Sequence, residues 1–303
     1  NSEMSGNGSS ENNQLAFGYT NVIRSDAVCF VGGNMASGNS GFARFRAGQN
    51  NNSAIFRSAG GGRMSLFTIS DGGGTNEERS NIKANIDFWG NQSANNLDIQ
   101  TTNFYIARDR AMIQNSNTVN YQGSFTMGKG TVDTINTILG YQEHQVRLNA
   151  DLQSGKQLGY CQGTVIITNA GVFKVANQLT LGYTADTNAV SVAELYNTFG
   201  RVSVNNGGQL IVNKVVVDGG PRNYSHTEGN DRSDSISLNE ATLILTNTIG
   251  AAPGQPLNSY TTTKSTNTWH VGVNKTNLIC RTLSTPGTAA SVIKVASISG
   301  VTT

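Results

Sequence analysis

Residues 163–182 read GTVIITNAGVFKVANQLTLG, and residues 200–219 read GRVSVNNGGQLIVNKVVVDG. Laid over one another, Gly163, Val165, Ile167, Asn169, Gly171, Phe173 and Val175 fall on Gly200, Val202, Val204, Asn206, Gly208, Leu210 and Val212. Looser copies occupy 236–250 (ISLNEATLILTNTIG) and 124–140 (SFTMGKGTVDTINTILG). The shared form is an alternating strand, an Asn/Gly corner, a second alternating strand, a short corner, a third strand and a Gly. Alternation sends one row of side chains inward and the other outward. Asn and Gly tolerate positive φ, so they turn the chain between strands. A single coil of this kind cannot bury its own apolar row, and coils must stack. The fold class expected is all-β: a parallel β-helix, or β-solenoid, with short Asn/Gly corners. At roughly 20–37 residues per coil it would have on the order of ten coils, about 4.8 Å apart, and a body roughly 50 Å long. Ile167, Val204 and Val212 are expected to point inward and Asn205 to lie at a corner. Asn at one corner of successive coils would form a stacked amide ladder.

The rest of the 303 residues fits this frame. There are 37 Asn, 35 Gly and 31 Thr, about a third of the chain. These residues are poor helix formers, which excludes a mostly helical protein. Short alternations at 27–31, 42–45, 64–69 and 82–88 have strand length. Residues 189–199 could form one helical turn but suit strands equally. Residues 1–14 (NSEMSGNGSSENNQ) predict a flexible polar arm, 15–250 the solenoid, and 251–303 a C-terminal cap or small β region. Pro253, Pro256 and Pro286 fall in that last part, and open solenoid ends need covering. The arm could cover a groove or add a strand to a neighbour.

Charge narrows the function classes. Lys plus Arg number 21 and Asp plus Glu 19, a net of +2. That balance argues against a dedicated nucleic-acid binder, which needs a basic face. No apolar run reaches the 18 residues of a membrane-spanning helix. The chain starts at Asn1, with no basic and apolar leader pattern, so any signal peptide is expected to have been removed. The wealth of Asn, Ser, Thr and Gly suits a secreted protein. Cys29, Cys161 and Cys280 lack CxxC spacing, which makes zinc and thioredoxin-like chemistry unexpected. Buried thiols are the favoured reading, with one disulfide plus one thiol as the alternative. Sequons at Asn7, Asn51, Asn91, Asn223 and Asn274 are what chance gives in so Asn-rich a chain.

The repeat Gly-Val-x-Val-x-Asn-x-Gly-x-Leu-x-Val, with its following apolar strand and Gly, resembles the repeats of bacterial autotransporter passengers and related secreted solenoid proteins. The resemblance is clear over 163–220 and loose elsewhere. It implies an extracellular protein, adhesive or matrix-forming, usually not an enzyme. The sequence differs from membrane-anchored members in showing no barrel-forming segment.

Sites with chemistry are few. Asp71-Gly-Gly-Gly-Thr-Asn76-Glu77-Glu78 offers oxygens for calcium but lacks EF-hand spacing, so a solvated loop is expected. His226, Glu228, Asp231, Arg232 and Asp234 form the one cluster that a lyase or glycosidase could use, and an excursion between coils explains it as well. Glu143-His144 and Asp109 between Arg108 and Arg110 read as wet-face charges. His270 beside Trp269, and Trp89, read as packing aromatics, although the first pair could stack on sugar. Gly60–Gly62 and Gly72–Gly74 are not phosphate loops, since no Gly-Lys-Ser/Thr follows. No catalytic, cofactor or metal residue is assigned. The function expected is a structural subunit of a surface filament, sheath or adhesive matrix, made by stacking copies of itself head to tail. The alternatives are a phage or viral fibre that binds host glycans, and a solenoid polysaccharide lyase or hydrolase.

Overall fold

The structure, a computed structural model, describes residues 14–31, 33–34, 41–46, 49–72, 82–110, 113–114, 119–143, 147–148, 159–184, 196–217, 234–249, 257–263, 265–272, 280–284 and 292–299. It is an all-β parallel solenoid, with no helix among the described residues. Each coil begins on a first face. There β1 (Gln14–Phe17), β5 (Gly41–Phe45), β8 (Ile82–Phe88), β11 (Val119–Met127), β14 (Gly159–Ile167), β16 (Tyr196–Asn205), β18 (Ser235–Asn239), β20 (Leu257–Thr263) and β22 (Cys280–Ser284) stack in that order, each parallel to the next. The two-residue β4 (Gly33–Asn34) adds antiparallel to β8.

The second and third faces are two parts of one bent sheet. In the first coil they are β2 (Asn21–Arg24) and β3 (Ala27–Phe30), and in the second β6 (Ser53–Arg57) and β7 (Met64–Gly72). From the third coil a single long strand covers both, β9 (Asn96–Asp109), whose first part pairs with β6 and second part with β7. Then come β12 (Gly130–Gln142), β15 (Gly171–Thr184), β17 (Gln209–Val217), β19 (Thr242–Ile249), β21 (Thr266–Gly272) and β23 (Val292–Ser299). Nine of the described strands lie along the first face, so their stack spans roughly 40 Å at the usual strand spacing. The repeat read from the sequence is the register itself, with Gly163 beside Gly200, Ile167 beside Val204 and Val175 beside Val212. Residues 1–13 of the expected arm and 189–195 of the expected turn lie outside the described residues, while Gln14 opens β1 and Tyr196–Phe199 belong to β16. Strands β20 to β23, within 251–303, extend the same two sheets.

The corners differ in chemistry. At the first, Asn51, Asn91, Asn169 and Asn206 take positive φ. The amide ladder stands instead at the second corner, in mid-strand. Asn213 Nδ2 donates to the Asn177 carbonyl (3.1 Å), Asn177 Nδ2 to Asn136 Oδ1 (2.8 Å), Asn136 Nδ2 to Asn103 Oδ1 (3.3 Å) and Asn103 Nδ2 to the Ser65 carbonyl (3.3 Å). The core is aromatic in the first coils, where Phe17, Phe45, Phe56, Phe67, Phe88, Phe104, Phe125 and Phe173 are buried against one another. Beyond them it is built mainly of Val, Leu and Ile, with Ala241 and Tyr260 near the far end.

The third corner is a left-handed residue inside the strand. Ser70, Ala107, Gly140 and Gly182 share one register column and have φ of 56, 59, 75 and 66°. The first-face strands cross this column at Gly123, Gly163 and Gly200, themselves in register. A Cβ on Gly163 would stand 2.7 Å from both Gly140 N and Leu139 Cα. Beyond the crossing a second, small core holds Ile82, Ala107, Tyr121 and Cys161.

Two stability predictions follow from burial and close approach. Val204 is fully buried, so Val204→Asp is expected to cost about 4 kcal/mol or more, because its charge has no partner there. Asn205→Ser, at a half-exposed strand end, should stay within about 1 kcal/mol. Equal costs in urea unfolding would reverse the inward and outward assignment. Gly163→Ala is expected to cost about 1–3 kcal/mol through overpacking. Gly60→Ala, with nothing within 4 Å, should change stability by about 0.5 kcal/mol or less.

Candidate functional site

Where β7, β9, β12 and β15 run past the third corner, the next outward column is Asp71, Arg108, Tyr141 and Tyr183. This column carries the densest polar arrangement among the described residues. Asp71 is buried and accepts from two guanidiniums: Arg110 Nε at 2.6 Å and Arg108 Nη1 at 3.2 Å. Arg108 also reaches Glu143, with Nε at 2.6 Å and Nη2 at 2.5 Å from Oε2. The chain Arg110–Asp71–Arg108–Glu143 thus spans successive coils, each residue supplied by the strand end above or below. Parallel pairing with side chains in register produces this; any slip of one residue would send Arg108 inward.

Tyrosines flank the ions. Tyr105 and Tyr141 meet edge to face at 5.1 Å, and Tyr141 and Tyr183 at 5.3 Å. The Arg108 guanidinium lies 5.3 Å from the Tyr105 centroid and 5.8 Å from that of Tyr141, within cation–π range. Burial raises the pKa of both phenols, Tyr141 by more. For Tyr105 the Arg108 charge opposes this and Glu143 adds to it; for Tyr141 the charge of Glu143 adds further. Burial works to lower the pKa of Arg110, but the charge and hydrogen bond of Asp71 outweigh it and the net shift is upward. Both tyrosines and Arg110 are moved away from neutrality, so they hold their protons at pH 7. The arrangement clamps strand ends together and offers a mixed aromatic and charged outer surface.

Other residues singled out in the sequence fall into place around it. Asp109 is fully buried one position after Arg108, beneath the ion chain rather than on a wet face. Asp234 is also buried, and its Oδ1 accepts from the Gly200 N–H at 2.8 Å, which ties it to the glycine crossing. His144, Asn76, Glu77, Glu78, His226, Glu228, Asp231 and Arg232 lie outside the described residues. Trp89 packs beside Gly128, where an added Cβ would meet its ring. It follows Asp87, whose Oδ1 accepts from the N–H groups of Trp89 (2.9 Å) and Gly90 (3.0 Å). Trp269 and His270 belong to β21. Cys161 is buried and Cys29 half-buried, and neither is in a disulfide. Among the described residues no three of His, Cys, Asp and Glu gather as a metal site. The sequence flagged Asp71, Arg108, Arg110 and Glu143 separately but gave no reason to join them, and it passed over the three tyrosines. Their signal was the recurrence of Tyr just around the strand-ending Gly, as in Leu139-Gly140-Tyr141 and Leu181-Gly182-Tyr183.

Comparison of the chain with protein-family models, with curated proteins and with solved structures returns no match.

The raised tyrosine pKa values give a pH prediction. In the unfolded chain these phenols ionise near their ordinary 10; in the folded chain they resist. Stability is therefore full below about pH 10 and falls as the pH rises above it, until the folded-state phenols themselves ionise. Ultraviolet titration of tyrosinate is expected to show a late-ionising fraction of the nine tyrosines. Tyr141→Phe should remove part of that fraction and flatten the alkaline loss of stability. A single ordinary titration of all nine would contradict the burial of this ladder.

Proposed function

We propose that the chain is a structural building block, secreted and assembled head to tail into a filament, sheath or adhesive matrix. The observation that carries this reading is the first coil, whose core row is incompletely covered. Leu15, Ile23, Val28 and Phe30 pack on the core yet stay partly exposed, while the matching residues of later coils are buried. The same coil holds Val22 in β2, 52% exposed, and Tyr19 between β1 and β2, 64% exposed. Among the described residues β1 and β2 each have a parallel neighbour on one side, and so do β22 and β23 at the far end of the same sheets. A second copy displaced along the axis would bring its last strands beside these first ones with their direction preserved. Such a contact joins unlike ends and does not close, so it propagates as a filament. The extracellular reading rests on the Asn-, Ser-, Thr- and Gly-rich composition and on the likeness of 163–220 to secreted solenoid repeats.

Electron microscopy of the native, unconcentrated protein tests this. Filaments with an axial repeat close to one stack are expected. A Lys at Leu15 or Val28 should convert them to single rods, because charge on an edge opposes pairing, while circular dichroism keeps the β signal. Single rods of the unaltered protein at all concentrations tried would end the proposal.

A further inference from the structure

The outward row of the first face carries a second arrangement, built of residues other than those of the ion chain and the open first coil. Phe125, Val165, Val202, Ile236 and Tyr260 are buried, so the alternate residues of β11, β14, β16, β18 and β20 face out. Register places Ser124, Thr164, Arg201, Ser235 and Ser259 in one column and Thr126, Ile166, Ser203, Ser237 and Thr261 in the next. Ser124 donates to Asn85 (2.7 Å), and Ser203 accepts from Asn205 (3.0 Å). The half-exposed hydroxyls of Thr126, Thr164, Ser235, Ser237 and Thr261 bond to no other described residue. From β11 to β18 Arg201 is the one charge on this outward row; the earlier Lys83 and Asp87 belong to β8. At the border where the strands begin, Tyr160 stacks on Phe199 at 5.7 Å and 29°, and the Arg201 guanidinium lies 5.5 Å from the Phe199 centroid.

We propose that this face docks an uncharged, hydroxyl-bearing polysaccharide chain laid along the stack axis. The charge pattern selects the partner. A phosphate or uronate polymer would meet one guanidinium over four strands, far below what counter-ion release needs to hold it. A hydroxyl both donates and accepts, so a column of them matches a polymer whose own hydroxyls do the same. The columns repeat about every 4.8 Å, and many weak contacts then add through linkage along one chain. Each alone gains little over its bond to water. Arg201 and Ile166 interrupt the columns, which would spoil the unbroken lattice that ordered water requires. A sugar polymer accommodates both, the guanidinium as a planar donor and Ile166 against the apolar face of a ring. The proposal stands apart from head-to-tail assembly, since it uses a side of the stack and not its ends.

The test is co-sedimentation of the full chain with insoluble uncharged polysaccharides, cellulose and chitin, with alginate and heparin as charged comparisons and assembly state read separately by light scattering. Retention on at least one uncharged polymer is expected. The combined variant Thr126→Ala, Thr164→Ala, Ser203→Ala and Ser237→Ala should lose about tenfold in affinity, as removal of several linked contacts requires. The outward second-face variant Thr131→Ala with Gln209→Ala should bind as the unaltered protein does. Circular dichroism and unfolding midpoints confirm that each variant is folded. No retention on any uncharged polymer overturns the proposal. So does retention that the four-fold variant leaves unchanged, or retention on the charged polymers alone. Inhibition of ice growth without polysaccharide binding would assign the array to ordered water and overturn it as well.

Discussion

The first-face strands cross the third corner at backbone contact, and that approach sets the size of every residue near it. Gly123, Gly163 and Gly200 lie on one side, and Ala107, Gly140 and Gly182, with Ser70 at the start of the column, on the other. Small residues are needed twice over, once for space and once for left-handed φ at the corner itself. The crossing divides the interior. On one side stands the main core of Phe, Val, Leu and Ile; on the other a small pocket of Ile82, Ala107, Tyr121 and Cys161. Because the strands run on past the crossing, their ends project as short parallel ledges. The ion chain and tyrosine ladder occupy one of these. Their position follows from the crossing and needs no separate cause.

Much of this was legible in the repeat. The 37-residue offset between 163–182 and 200–219 is the physical register, and the alternation correctly turned Ile167, Val204 and Val212 inward. Three faces per coil could be read because one corner is written in Asn and Gly, a short corner follows the second strand, and the third strand ends on Gly. The glycines at 163 and 200 were visible as repeat landmarks, but their partner was not. A close approach between residues 23 apart, such as Gly140 and Gly163, leaves no mark on either strand alone.

The amide ladder shows why the rest stayed hidden. The sequence led to the Asn/Gly corner, where Asn169 and Asn206 recur at the fixed offset. Those residues serve backbone conformation, with φ of 48° in both. The asparagines that form the side-chain ladder are Asn103, Asn136, Asn177 and Asn213. Between Val175 and Gln178 β15 has two residues where β17, between Val212 and Lys214, has one. The slip moves Asn177 out of line with Asn213 at offset 37, although the bend brings them together. A bulge costs the aligned pattern one position and gives the chain its corner. Side chains that stack at a bulge are therefore the ones that a fixed period conceals.

The same geometry separates what must repeat from what can vary. Register partners on the first face are 40 residues apart at Ser124 and Thr164 and 24 apart at Ser235 and Ser259, yet both pairs sit in the same columns. Coil length varies without disturbing the stack, because the register columns hold on both sides of the segments that join the third face to the first. Asp71, Asp109, Glu143 and Asp234, all singled out in the sequence, lie at or beside strand ends next to those segments. Two of the described ones are consumed by the fold: Asp71 by two guanidiniums and Asp234 by the Gly200 N–H. The outward row of the first face is under the opposite constraint. It cannot vary in spacing, since pairing fixes each position against its neighbours. A surface that recognises a periodic partner is best built there, where the backbone sets the repeat and the side chains need only be small, uncharged and able to hydrogen-bond.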